Sequence, residues 1–348
     1  MNFHHAESFL PVVPDLSAGP DHLCAGCRSA AGRLVAVVVT HDRLNALRQA
    51  IVRLLDAPPC ALHHVVVVDN ASRDGTADWL ASIADPRLHL LRLPRNLGGA
   101  GGFAAGLNFA RRCFDPDWYL LLDDDAWPDP GTLAAFHASD LTGWDAVAGA
   151  VRDPQGAICD INRPTYDPFA SPSKFLATLR GGREGFHLTA GDYAAGRVCA
   201  VDGASFVGFF LSRRGLALAG LPDPALFIYA DDALQTLKLS RAGGRIGFFP
   251  QLRFTHDHPS AANAQIGKPL WKIYYQHRNA LILYRYAAGW LFWPICLVVL
   301  PRWLWRIRAY PGHRRAFLRL FLRGIWHGLR RQTGSGHDTV LRWAGTSR

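Results

Sequence analysis

Two unbroken apolar runs, Leu34-Val-Ala-Val-Val-Val39 and His64-Val-Val-Val-Val68, constrain this chain more than any other feature. A strand with one wet face alternates apolar and polar residues. A run that is apolar and β-branched throughout must be covered on both faces, as a parallel strand between helices is. Helical spacing follows each run: Leu44, Leu47, Ile51, Leu54 and Leu55 after the first, and Trp79, Leu80 and Ile83 after Asp74-Gly-Thr76. Leu88–Leu93 and Trp118–Leu122 read as further strands, and Gly102–Cys113 as the helix between them. This alternation predicts an α/β chain, Rossmann-like, with a mostly parallel sheet and flanking helices. Ligands in such sheets bind beyond the carboxyl ends of the strands. Three of those ends are Thr40-His-Asp42, Asp69-Asn70 and Asp123-Asp-Asp125. The pattern is weak from Asp153 to Val198. It returns with strand-like Ala204–Leu211 and Ile246–Phe249 and with helical Ala233–Ala242 and Ile273–Tyr286.

Asp123, Asp124 and Asp125 follow a buried strand directly. Adjacent carboxylates repel, and desolvation adds to the cost. A divalent cation relieves both, and hard oxygen ligands suit Mg²⁺ or Mn²⁺, which can in turn hold a diphosphate. A solvated turn before Pro128 is the plainer alternative. Asp231-Asp232 opens the later helix, and such a pair can supply a general base or simply cap a helix start. Asn96-Leu-Gly-Gly-Ala-Gly-Gly-Phe103 matches neither a Walker loop nor G-x-G-x-x-G. Its glycines permit either close approach to a ligand or a tightly packed turn. Cys24 and Cys27 lack the second pair that a structural zinc site needs.

The charge of this 348-residue chain is uneven. It totals +10, yet Arg285–Arg348 holds twelve arginines, no lysine and one acid, Asp338. That segment carries +11 and leaves −1 for everything before it. A neutral body argues against nucleic acid as substrate, and a basic tail points to an anionic surface. Tyr286–Trp305 is long enough to cross a bilayer, but Pro294, Pro301 and four tryptophans favour the interface. Leu318, Phe321, Leu322, Ile325 and Leu329 then share one helical face beside Arg315, Arg319, Arg323 and Arg330. The pattern suits a helix lying in a membrane surface, with docking on the protein core as the alternative. Seven cysteines and no secretory leader among Met1–Leu10 suit a reducing cytosol. A division follows: an arm over 1–32, a catalytic domain over 33–285 and a basic helical tail over 286–348.

Val35–Arg43, Val66–Thr76 and the Asp123–Asp125 triplet resemble family-2 glycosyltransferases of GT-A fold. Arg95–Phe103, Leu226-Phe-Ile-Tyr-Ala-Asp-Asp232, His256 and Trp271-x-x-Tyr-Tyr-x-x-Arg-Asn279 are similar to the galactofuranosyltransferase branch, partly shared by rhamnosyltransferases. The resemblance implies that Asp123, Asp125 and His256 hold Mg²⁺ or Mn²⁺. Thr40, Arg43, Asp69 and Asp124 would hold the nucleotide of a UDP-sugar donor, and Arg95, Asn96, Gly98 and Gly99 would wall its diphosphate and sugar. Asp232 would be the base, with Asp231, Trp271, His277 and Arg278 on the acceptor side. The implied activity is inverting transfer of galactofuranose to a lipid-linked or polysaccharide acceptor, on the cytoplasmic face of the cell membrane. A dTDP-rhamnose transferase and a membrane-docked binding module without turnover are the alternatives, and homo-oligomerisation stays open. Ala233-Leu-Gln235 departs from the acid or tyrosine that relatives carry after the Asp pair. The short N-terminal segment leaves no room for the β domain of long-chain polymerases.

Overall fold

The first apolar run becomes β1 (Leu34–Thr40), buried along its whole length between β2 (His64–Asp69) and β4 (Trp118–Asp123), both parallel to it. Alternate residues of β1 explain why the run is unbroken. Val35, Val37 and Val39 face Phe103 and Leu107, while Leu34, Ala36 and Val38 face Leu47, Ile51 and Leu54. The computed structural model describes residues 32–258 and 269–345, so the expected arm, with Cys24 and Cys27, lies almost wholly outside them.

After β1 come α1 (Leu44–Leu55), β2, α2 (Thr76–Ala81), β3 (Leu88–Arg92), α3 (Gly98–Cys113), β4, β5 (Ala126–Pro128), α4 (Thr132–Ala138) and β6 (Ala146–Arg152). Then follow α5 (Pro172–Gly181), α6 (Ala190–Ala194), β7 (Cys199–Val201), β8 (Phe209–Ser212), α7 (Arg213–Ala219), α8 (Asp231–Arg241) and β9 (Ile246–His256). One nine-stranded sheet runs β3-β2-β1-β4-β8-β6-β9-β5, with β7 paired to β9. From the pairings, β1, β2, β3, β4, β6 and β9 point one way, and β5, β7 and β8 run against them. Thr40, Asp69, Asp123 and His256 therefore gather at one edge. This is the expected α/β sheet, mostly parallel with flanking helices.

Three local expectations shift. The strand expected over Ala204–Leu211 forms only from Phe209, and the one expected to stop at Phe249 continues to His256. The helix expected from Gly102 starts at Gly98. Glycine costs a helix about 1 kcal/mol per residue relative to alanine. Close packing on β1 prevails, because a Cβ on Gly102 or Gly106 would lie 2.4 Å from Val39 or Val37 respectively.

The C-terminal elements are α9 (Lys272–Ala288), α10 (Phe292–Trp305), α11 (Arg314–Leu329) and α12 (His337–Ala344). The segment 286–348 was expected as a separate tail, but within its described residues α11 and α12 pack on α9. Phe317, Leu320, Phe321, Val340 and Ala344 form one cluster with Ile273, Tyr274 and Tyr275. Gly324 and Gly328 permit the approach, since Cβ atoms there would lie 2.8 and 2.9 Å from the carbonyls of Tyr274 and Arg278. The expected lipid face of α11 is thus rotated. Phe321 is buried, while Leu318, Leu322 and Trp326 point outward.

Candidate active site

The carboxyl end of β4 presents the acidic triplet, and the end of β9 brings His256 across to it. Ligating atoms of Asp123, Asp125 and His256 all lie within 4.8 Å of one another. His256 Nε2 is 3.0 Å from Asp125 Oδ1, and its Nδ1 is 2.8 Å from Asn162 Oδ1. Asn162 in turn donates from Nδ2 to Ser205 Oγ at 2.9 Å. An amide oxygen can only accept, so Nδ1 carries a proton toward Asn162. Nε2–H donates to Asp125, and giving up that proton would free its lone pair for a cation.

Burial and the charge of Asp125 push Asp123 up to about 7. Burial also lifts Asp124, to about 6, against the charge of Arg43. Burial opposes ionisation of Asp125 as well, but the His256 hydrogen bond and Arg43 hold it down at about 2. For His256 burial lowers the pKa, and the Asp125 hydrogen bond overrides it to about 10. Crowded, desolvated carboxylates with one aimed imidazole fit a divalent cation.

Thr40 and Arg43 touch the triplet. Thr40 Oγ1 donates to Asp124 at 2.8 Å, and the Arg43 guanidinium lies 3.0 Å from Asp124 and 2.8 Å from Asp125. Asp69 is fully buried and accepts from the Ser72 backbone N–H. Alongside, a cavity of about 710 Å³ is lined by Asp42, Ser72, Arg73, Arg92, Arg95 and Asn96 among others. Three arginines around a polar cavity suit a nucleoside diphosphate.

The glycine run divides its roles. Gly98 has φ +71°, and a Cβ there would lie 2.0 Å from the Phe227 carbonyl, whereas Gly99 faces open space. Asn70, at the strand end after Asp69, fixes this turn by accepting from Leu97 N–H and donating to the Gly98 carbonyl, each at 2.8 Å. The Ala100 N–H then donates to Phe227 O, joining the turn to the loop that carries the acidic pair.

Asp231 and Asp232 form the first turn of α8, and the cap position before them is Ala230, not an acid. Burial and the charge of Asp232 raise Asp231 well above the ordinary carboxylate value, with Asp123 adding to it. Burial raises Asp232 too. The charge of Asp232 also raises Asp123, so the acidic pair and the triplet feel each other.

Two acceptor-side expectations are corrected. Arg278 is completely buried, donating to the Ala225 and Leu226 carbonyls and to Asn279 Oδ1. His277 is buried among Trp303, Phe317 and Phe321, with Nδ1 on the Ile273 carbonyl. Side chains so enclosed hold structure and do not meet an acceptor. Trp271 is half-buried against Phe227 and Tyr275. Its neighbour Lys272, absent from the sequence reading, has its pKa lowered by burial and by Arg43. Its ammonium lies 5.9 Å from the centroids of the Tyr229 and Trp271 rings.

Known proteins resemble this chain in sequence and in fold. The family model for Glycosyl transferase family 2 matches residues 35–202. Galactofuranosyltransferase GlfT1 of Mycobacterium tuberculosis is 30% identical over 226 residues, covering 64% of this chain and 69% of the relative. Undecaprenyl-phosphate mannosyltransferase of Micrococcus luteus is 33% identical over 138 residues, 38% of this chain and 53% of that protein. A crystal structure of GalNAc-T7 with UDP, GalNAc and Mn²⁺ superposes with TM-score 0.52 at 15% identity, over 73% of this chain and 48% of that one.

Proposed function

We propose a metal-dependent, inverting reaction for this chain, which belongs to glycosyl transferase family 2 and is a glycosyltransferase. The donor is a UDP-sugar, UDP-galactofuranose in the reading we favour, and the acceptor is a lipid-linked or polysaccharide glycan. The observation that carries the mechanism is that the charge of Asp232 reaches Asp123 of the Asp123–Asp125–His256 set.

Bound by those three side chains, Mg²⁺ or Mn²⁺ would neutralise charge on the departing diphosphate. Arg43 stands beside the same carboxylates and adds a fixed positive charge where the phosphates arrive. Asp232 takes the proton from the acceptor hydroxyl, and the oxygen attacks the anomeric carbon from the face opposite the leaving group. A raised carboxylate pKa strengthens the base near neutral pH.

The outer surface supports a place on the cytoplasmic face of the membrane. Residues 272–309 form one helical run long and apolar enough to cross a bilayer. Its first half is committed to the protein interior, and Gly289 at φ +54° breaks it. The remaining helix α10 has 14 residues. At 1.5 Å each it reaches about 21 Å, short of a hydrocarbon core of about 30 Å. Exposed Trp290, Trp293, Leu297 and Trp305, with the tail arginines, suit a helix lying on an anionic surface.

The test is a donor screen with purified protein and Mn²⁺, comparing UDP-galactofuranose, dTDP-rhamnose and UDP-pyranoses. Asp232→Asn should retain UDP binding by calorimetry and lose transfer by about 10²–10⁴-fold. Near-normal turnover of Asp232→Asn would remove Asp232 from the mechanism.

A further inference from the structure

A second cavity, of about 720 Å³, is bordered by Asp232 and reaches Arg302 on α10. Its volume lies in the range of about 300–1,000 Å³ typical of small-molecule sites. Around Asp232 it is polar, with Thr165, Asp202 and Ser205. Elsewhere its walls are apolar: Phe169, Phe175 and Phe186 on one side, and Leu283, Ile295 and Val298 on the other. A saccharide is covered in hydroxyls, and pressing it between such walls leaves polar groups without partners. The polar part of the cavity fits a sugar, and the larger part fits something without hydroxyls.

Two further features select the occupant. The apolar wall is continuous with the exposed face of α10, where Val298 is 56% and Leu297 80% exposed. The cavity also holds two arginines. Arg163 is engaged with Glu184 and Asp160, whereas Arg302 has no carboxylate partner among the described residues. A free guanidinium beside an apolar channel matches a phosphate carried on a hydrocarbon chain.

We infer that this cavity is the acceptor's anchor site: a prenyl chain lies between the phenylalanines and α10, its phosphate meets Arg302, and a sugar hydroxyl rests at Asp232. The assignment rests on the glycosyl-transfer reading above and adds a constraint to it. One cavity holds Asp232, the Arg302 guanidinium and the apolar wall together, so the saccharide between anchor and reacting hydroxyl is short. A long glycan would carry its lipid outside the groove.

The test uses the full chain and a prenyl phosphate bearing a benzophenone. Illumination should label peptides within 166–186 and 283–302. Val298→Asp, at an exposed position that folding tolerates, should reduce that labelling at least about tenfold, the scale on which apolar pockets discriminate. Calorimetry with UDP and Mn²⁺ should give the wild-type affinity for the same variant. Labelling confined to the outward residues Trp290, Trp293, Leu297 and Leu318, or unchanged by Val298→Asp, overturns the inference. A protein that binds UDP and not the probe overturns the groove alone. One that takes the probe but binds no UDP overturns the transfer reading, and the acceptor role with it.

Discussion

Asn279 offers a sharp probe of how the base is held. Its Nδ2 donates to the carbonyls of Leu226, Ile228 and Tyr229 at 2.9, 2.7 and 3.0 Å, and it is completely buried. The loop it grips contains Phe227, Tyr229 and Ala230 at φ +67°, +70° and +62°, all non-glycine residues in the left-handed region. Such residues cost about 1–3 kcal/mol each and persist only where surrounding contacts impose them. Asn279→Ala strands the Ile228 and Tyr229 carbonyls, since Arg278 still serves Leu226, and it removes the oxygen that accepts from Arg278 Nε. Three unsatisfied buried groups at about 1–3 kcal/mol each set an upper range of about 3–9 kcal/mol. The strained loop can relax and recover part of this, so we expect a loss of about 2–3 kcal/mol by urea unfolding. Relaxation also moves Asp232, and a displacement of about 1 Å is enough to cost about 10²-fold in kcat. Affinity for UDP and Mn²⁺ should not change, because the triplet belongs to β4. Asn279→Asp keeps the volume but turns an acceptor toward carbonyls, so it should be at least as damaging. If both variants unfold within about 0.5 kcal/mol of wild type, the scatter of ordinary surface substitutions, and keep their kcat, the fork is not what places the base.

Gly98→Ala should lower the urea midpoint and the turnover together. Its Cβ would meet the Phe227 carbonyl at 2.0 Å, and φ +71° adds strain of more than about 1 kcal/mol; an unchanged midpoint would refute the close approach. The rate should fall on the acid side as Asp232 gains its proton, at a pH above the ordinary carboxylate range because burial raises its pKa. The charge of Asp232 raises Asp231, whereas burial alone raises Asp232, so Asp231 is neutral while Asp232 titrates and Asp231→Asn should leave the acid limb in place; a large shift of that limb would contradict this order of titration. With anionic liposomes the full chain should sediment and be only partly released by salt, since each arginine near the surface contributes about 1 kcal/mol of screened attraction. Truncation after Tyr286 should abolish sedimentation, and it should also impair transfer to a water-soluble acceptor, because it uncovers Ile273, Tyr274 and Tyr275. Full activity of the truncated chain would show that α9 needs no cover.

The donor side of this site was legible in sequence because it is built from strand ends. A buried β-branched run ending in acids fixes both the strand and the edge at which its acids emerge, so Asp69 and Asp123–Asp125 could be named from neighbours in the chain. The roles of Asn162, Asn70 and Lys272 could not. Asn162 acquires its role from His256, 94 residues away, and Asn70 from a turn 28 residues on. Asn162 lies in a weakly patterned segment, and Asn70, although it stands at a strand end, carries no mark of so distant a partner. The tail left two readings open, a membrane face and docking on the core, for a different reason. α11 is apolar on both sides, with Phe317 and Leu320 facing inward and Leu318 and Leu322 outward, and periodicity does not say which side meets protein.

His277 and Arg278 are expected on the acceptor side because they belong to a recognisable block, and the structure gives them a supporting place instead. Arg278 and Asn279 hold the loop that ends in Asp231 and Asp232, and α11 backs the helix that carries them. On the proposed reading, donor and base are positioned by different parts of the molecule. The donor site rests on the sheet, whose geometry is fixed by backbone pairing. The base rests on a strained loop clamped by α9, and the same helix leads into the amphiphilic surface of α10. An enzyme whose acceptor arrives on a lipid gains from that division. The sheet keeps the leaving group fixed, while the elements that meet the anchor also set the base.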